Sequence, residues 1–314
     1  VLQASSRSVL SAQARGGPID YNGPDVLGRE AKRLDLCGAL PWGQVGARVR
    51  QQLIMDHARQ WSRWLALVGE DYPQAAPPVS LSLPSNDVPG LMIQDLLSGL
   101  RLTPAGDALA WVGLDARELL ARSSGRKATE RAQAPNAAQA VLRNDRMLPA
   151  WVQALVAAAG GVSVRVVMVG RDACIEALPI PVALAQEQLQ RLLRAYHQGL
   201  HGTQPWPTAL KTGMAYLAAR LAASDAEHSP SRGSDSALKA ARSAFEGHPW
   251  QRVSGEGREP CLARLYPDAD TLVLHPQFGA ACETLYGFYM DWLHTKVAQV
   301  QLLEPEGEPG AGAS

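Results

Sequence analysis

Apolar residues recur at three- and four-residue steps between residues 44 and 68. Val45, Val49, Leu53 and Ile54, then Trp61, Trp64, Leu65 and Val68, fall on one broad face, which is the period of an amphipathic helix. Residues 25–37 repeat that spacing in a shorter run closed by Gly38 and Pro41. Tyr72-Pro73 and Pro77-Pro78 stop the long helix, because proline removes a donor and clashes with the preceding turn. The period then drops to two. Val79-Ser80-Leu81-Ser82-Leu83 predicts a strand with one buried face. Further strands follow over 91–97, whose IQDLL would equally serve a helix, 100–103 and 108–114, with turn residues at 84–90, 98–99 and 104–107. Residues 115–121 predict a helical turn, 122–146 an arginine-containing excursion rich in Ala and Gln, and 147–159 a helix closed by Gly160-Gly161. The β-branched run 162–169 and residues 173–178 predict a hairpin turning on Gly170-Arg171-Asp172.

Helical patterns follow over 182–198, 208–222, 236–245, near 259–265, and over 278–300, with a polar break at 224–235. Residues 1–24 read as a linker and 304–314, rich in Gly, Pro and Glu, as a disordered tail. The fold class is mixed α/β (α+β): a central, mostly antiparallel sheet flanked by helices. The expected division is 1–40 as linker and edge helix, 41–303 as the folded domain, and 304–314 as tail.

Composition narrows the function. At 46% hydrophobic, 314 residues bury a substantial core. Thirty basic residues balance 30 acidic ones, which argues against a protein that alone wraps long nucleic acid and leaves room for a local basic groove. Cys37, Cys174, Cys261 and Cys282 are scattered without a CxxC pair, consistent with a reducing cytoplasm. No run of about 18 apolar residues exists to span a bilayer. Val1 in place of methionine predicts a piece excised from a longer chain.

The search for chemistry starts with a coincidence of letters. Pro24-Asp25 followed by Glu30-Ala31-Lys32 spells the PD…ExK signature of metal-dependent nucleases. That chemistry needs carboxylates and a lysine on adjacent strands around magnesium. Four residues of helical pattern between Asp25 and Glu30 leave no space for a strand pair. The 162–178 hairpin carries Asp172 in its turn and Glu176 on its second strand, with no lysine two residues on. His197 and His201 stand at zinc-binding spacing, but Gly199 and Gly202 are expected to break the helix and no further ligands accompany them. The GxxxxGK[ST] and GxSxG signatures are absent. No catalytic residue, metal or cofactor is therefore assigned. The strip Arg122, Arg126, Lys127, Arg131, Arg143 and Arg146, set against Glu130 and Asp145, is the candidate for touching DNA phosphates; the alternative is a solvated loop. Trp61, Trp64 and Trp151 sit at core spacing, whereas Trp206 and Trp250, in proline-flanked loops, are candidates for facing a partner protein.

From Leu189 onward the chain resembles the C-terminal region of the RecC family, the gamma subunit of bacterial exodeoxyribonuclease V. The matching segments run in order: Tyr196-His197-Gln198-Gly199-Leu200, Gln204-Pro205-Trp206-Pro207, Lys211-Thr212-Gly213-Met214-Ala215-Tyr216, and Leu238-Lys239-Ala240-Ala241-Arg242. Phe245-Glu246-Gly247, Ser254-Gly255-Glu256 and Arg264-Leu265-Tyr266-Pro267 complete the series. Weaker agreement reaches back through Trp151 to Leu40-Pro41-Trp42-Gly43. Pro205-Trp206-Pro207 departs from the family's Pro-Leu-Pro-Phe-like segment. The resemblance implies a restriction-endonuclease-like fold without its catalytic residues. It also implies a non-catalytic role in a cytoplasmic helicase–nuclease of double-strand-break repair. The domain would dock the beta and alpha subunits (RecB and RecD type), help split the duplex and channel double- and single-stranded DNA. The alternatives are an active magnesium-dependent nuclease of the same fold and a protein-docking module without DNA contact.

Overall fold

The computed structural model describes residues 23–121, 142–202, 205–225, 230–248 and 253–303. Two helices, α1 (Gly23–Leu36) and α2 (Gly43–Ala66), pack as an antiparallel pair, and a five-residue π-type turn (Leu67–Asp71) widens the end of α2. Carbonyls at and just after the turn need partners from outside the helix. Buried Arg101 supplies them, donating to Val68 O (2.9 Å), Tyr72 O (2.6 Å) and Pro73 O (2.8 Å).

The strands follow as β1 (Gln74–Ala75), β2 (Val79–Pro84), β3 (Met92–Leu97), β4 (Leu100–Leu102) and β5 (Leu109–Leu114), then α3 (Leu148–Ala159), β6 (Arg165–Val169) and β7 (Ala173–Ala177). Next come α4 (Val182–His201), α5 (Leu210–Asp225), α6 (Pro230–Glu246), β8 (Gly247–His248) and β9 (Val253–Ser254). Short helices α7 (Pro260–Leu265), α8 (Ala269–Val273) and α9 (Phe278–Cys282), a second π-type turn (Glu283–Gly287), α10 (Phe288–Lys296) and β10 (Val297–Leu302) close the chain.

Six strands form one sheet in the order β1-β4-β5-β6-β7-β10. Every neighbouring pair is antiparallel except β5 and β6, which run parallel with Ala110 opposite Arg165 and Leu114 opposite Val169. Period-two alternation splits this sheet between two cores. Val166, Met168, Ile175 and Ala177 face α3, α4 and the C-terminal helices. Val167, Val169, Cys174 and Ala110 face Trp61, Trp64 and Val68 of the α1–α2 side. Burial on both faces explains why 162–169 reads as a nearly unbroken apolar run. Trp61 and Trp64 stack at 5.0 Å between centroids.

Several expectations are corrected. β2 and β3 form a separate two-stranded ribbon, because Pro77-Pro78 cannot donate to a ladder and turns the chain out of the sheet after β1. The ribbon leans on α4 through Gln190, which donates to Pro84 O (2.9 Å) and accepts from Asn86 N (2.8 Å). Residues 115–121 form bends instead of a helical turn, since side chains take their backbone donors: Asp115 accepts from Arg117 N (3.0 Å), and Asp172 from Leu119 N (2.7 Å) and Leu120 N (3.0 Å). α6 begins at Pro230, inside the expected polar break, because proline suits the first turn of a helix. Residues 297–302 leave the helical pattern and form edge strand β10 against β7. Residues 1–22 and the tail 304–314 lie outside the described residues.

Helix α4 also continues through Gly199 to His201. A Cβ at Gly199 would stand 3.3 Å from the Trp206 indole, so the glycine serves close packing. The His197 and His201 rings lie 4.5 Å apart between centroids, tilted at 47°, on an unbroken helix.

Candidate functional site

The parallel pair β5 and β6 gives the sheet one end at which two strands finish together, the position where open α/β sheets place their ligand sites. The arginine excursion leaves the sheet there. Its base returns at Leu142, bridged to Leu120, and the β6–β7 turn lies beside it. Fully buried Gln60 of α2 holds this end together, donating to Asp115 O (2.5 Å) and Val169 O (2.8 Å). Burial lowers the neighbouring His57 imidazole, opposed by its contact with Gln60 Oε1 at 3.3 Å.

Four arginines ring this end, each beside a carboxylate. Arg117 meets Asp115 at 2.6 Å, Arg171 meets Glu118 at 2.7 Å, Arg143 lies 3.7 Å from Glu118, and Arg146 lies 3.6 Å from Asp145. Arg143 also donates through Nε to Leu120 O at 2.9 Å. Burial pushes the Asp115 carboxyl up, but the Arg117 side chain and backbone N–H and the charge of Arg146 outweigh it, leaving the group below the ordinary carboxylate range. Arg143 and Arg146 are thus tied into the base of the excursion. Arg122, Arg126, Lys127 and Arg131 lie outside the described residues. The segment 122–141 contains four basic residues and one acidic residue, so the surplus positive charge belongs to it.

The hairpin carboxylates have structural partners. Asp172 accepts from the two backbone donors of Leu119 and Leu120, and Glu176 pairs with Arg165 across β6 and β7. A cleft of about 450 Å³ beside them is lined in part by Arg63, Glu70, Asp71, Glu176 and Gln301. Among the described residues, no group of three or more His, Cys, Asp or Glu side chains is placed to hold a metal ion. Glu30 of the PD…ExK lettering pairs with Arg33 at 2.8 Å on α1.

Trp206 is half-buried. Its Nε1 donates to Ala195 O at 3.1 Å, and its remaining face lines a shallow groove with Gln198, His275 and Thr284. Trp250 lies outside the described residues.

The segments Phe245-Glu246-Gly247 and Ser254-Gly255-Glu256 meet as the β8–β9 pair, Gly247 opposite Ser254. Nearly buried Glu256 accepts from Lys211 N (3.0 Å), Thr212 N (2.8 Å) and Thr212 Oγ1 (2.9 Å), capping α5. Gly255 passes so close to α6 that a Cβ would stand 2.2 Å from Phe245 O. These residues form a scaffold joint.

The patterns that identified helices and strands did not single out Gln60, Arg101 or Glu256. A polar residue in an apolar helical face, as Gln60 is between Ile54 and Trp61, was the available signal for the first. The other two reach partners distant in sequence.

Among the described residues, no helix is long and apolar enough to cross a membrane. Among curated proteins none matches this chain significantly. The family described as the RecC C-terminal domain matches residues 9–221. That span contains the Leu40–Gly43 lead-in and the Tyr196 to Tyr216 segments but ends before Leu238. The match covers more than half of the sequence and includes the excursion, α4 and every strand of the sheet except β10. The chain therefore belongs to the RecC C-terminal domain family, that of the gamma subunit of exodeoxyribonuclease V.

Proposed function

We propose that this chain is a non-catalytic structural and DNA-guiding domain of a helicase–nuclease, docking the beta and alpha subunits and helping to divide duplex DNA and channel its strands. The observation that carries the non-catalytic reading is the engagement of Asp172 by Leu119 N and Leu120 N and of Glu176 by Arg165. A metal-ligating carboxylate needs its oxygens directed at the ion; both oxygens of Asp172 are taken by backbone N–H groups and one oxygen of Glu176 by Arg165. The proposed architecture is a restriction-endonuclease-like core over 41–303, with 1–40 as edge and 304–314 as tail. The guiding role is assigned to Arg122, Arg126, Lys127 and Arg131, where positive charge is in surplus, with Arg143 and Arg146 anchoring the strip. Trp206 and Trp250 are assigned to partner contact.

One observation favours a second reading, a docking module without DNA contact. Every described arginine at the base of the excursion already neighbours a carboxylate.

The catalytic question is decided by incubating the purified chain with linear DNA and magnesium. No cleavage is expected. Cleavage that Asp172→Ala or Glu176→Ala abolishes would overturn the reading.

A further inference from the structure

The apolar face of α2 extends beyond the body that buries it. Its C-terminal half places Gln60, Trp61, Trp64 and Leu65 against the sheet. The same face continues toward the N-terminus as Leu53, Val49, Val45 and Trp42, at steps of four, four and three. There Val49 and Leu53 are half-buried, Val45 is 63% exposed and Trp42 91% exposed. Leu36, across the α1–α2 turn, is 79% exposed. From Gly43 to Arg59 the helix runs roughly 25 Å at about 1.5 Å per residue. An amphipathic pair with one uncovered stripe lacks the third element that would complete its core.

Charge identifies the missing element. Residues 25–50 contain five basic residues against Asp25, Glu30 and Asp35, which gives this rim a net charge of +2 from sequence; Glu30 pairs with Arg33 and Asp35 with Arg50, each at 2.8 Å. The segments of this chain that could be considered as occupants do not fit by composition. Residues 1–22 contain Arg7 and Arg15 against Asp20, and 122–141 is basic; 304–314 is acidic but supplies no apolar side chain larger than alanine or proline. A second copy would bring the same positive rim. Nucleic acid would answer the charge, but a stripe of Val45, Val49 and Leu53 behind a single indole offers side chains to an apolar groove and no π-face to successive bases.

We propose that the α1–α2 arm is a docking post for an acidic amphipathic helix of another subunit of the complex, with Trp42 as its anchor. The inference rests on the reading that this domain docks other subunits, and gives that reading a surface. Trp is among the residues enriched at interface hot spots, and the i, i+3, i+7, i+11 spacing of the aliphatic residues behind it is that of helix-to-helix recognition.

The test uses the full gamma chain with a photo-reactive phenylalanine analogue at Val45, assembled with the beta and alpha subunits on forked DNA and irradiated. The expected crosslink is to an acidic segment of the beta or alpha subunit with apolar residues at helical spacing. Crosslinks to DNA or within this chain, or none in a complex that assembles, overturn the arm. Failure of the unmodified gamma chain to assemble would count instead against docking itself. Trp42→Ala, which removes no described core contact, is expected to weaken association of the crosslinked subunit on the order of 30-fold. Arg48→Glu is expected to weaken it further at low salt; unchanged affinity in both variants overturns the proposal.

Discussion

Replacing Glu256 separates a scaffold from a chemical role for the Ser254-Gly255-Glu256 segment. The carboxylate receives two backbone N–H groups and the Thr212 hydroxyl, and Thr212 is fully buried. A hydrogen bond to a charged group contributes about 1.5–3 kcal/mol, and a helix cap alone about 1 kcal/mol. Glu256→Ala orphans all three donors, at least one of them inaccessible to water, so the expected loss is about 3–5 kcal/mol. Glu256→Gln keeps one acceptor but points an amide N–H₂ at a donor and removes the charge favoured at a helix N-terminus; about half that loss is expected. Urea unfolding of the purified domain reads both values, with the midpoint falling in the order wild type, Gln, Ala. A loss below about 1 kcal/mol for Glu256→Ala would refute the cap. Normal stability with impaired DNA processing by the assembled complex would instead make Glu256 a functional acid.

Other outcomes follow from the same packing. Gly255→Ala puts a Cβ 2.2 Å from Phe245 O, so the α6 end must move; a cost of at least about 2 kcal/mol is expected by urea unfolding, and a neutral variant would contradict the close approach. In the native chain at pH 8, a thiol reagent is expected to modify Cys37 and Cys261, which are exposed, and to spare the buried Cys174 and Cys282; release of four thiols without denaturant would contradict this. Burial pushes the Cys282 thiol up to about 11 and the Tyr286 phenol up to about 12. Both are raised above their unfolded values, so their contribution is intact below about pH 8.5 and is lost as pH rises through 11 and 12. The midpoint temperature should therefore fall steeply between pH 9 and 12, and a flat profile would contradict the burial.

Local patterns were sufficient for most helices and for β2, β6 and β7, whereas the IQDLL of 91–97 would equally serve a helix and becomes β3 by pairing with β2. What the sequence obscured depends on partners far along the chain. The run 278–300 keeps helical spacing to its end, yet Val297–Leu302 pairs with β7, an edge that only the tertiary arrangement offers. Gly199 resembles a helix breaker until Trp206 is seen resting on it. The 115–121 bends arise because Asp172, more than fifty residues away, accepts the donors of Leu119 and Leu120. At the candidate site, the acidic companions of Arg143, Arg146 and Arg171 were visible as letters, but their pairing was not. Strand order brings Glu118 beside Arg143 and Arg171. The family segments around Phe245 and Glu256 were legible as a series before they had a physical meaning, which the β8–β9 joint and the α5 cap now supply.

Surplus charge between residues 122 and 141 is proposed to guide DNA. That role is tested most directly by neutralising Arg126, Lys127 and Arg131 in the gamma chain and measuring fork binding by the assembled complex across salt concentration. Each duplex phosphate contact contributes about 0.9 to the slope of log affinity against log salt. Weaker binding is expected, with a slope reduced by up to about 2.7, in a complex that assembles normally. Unchanged affinity and an unchanged slope would contradict it and leave a docking domain without DNA contact.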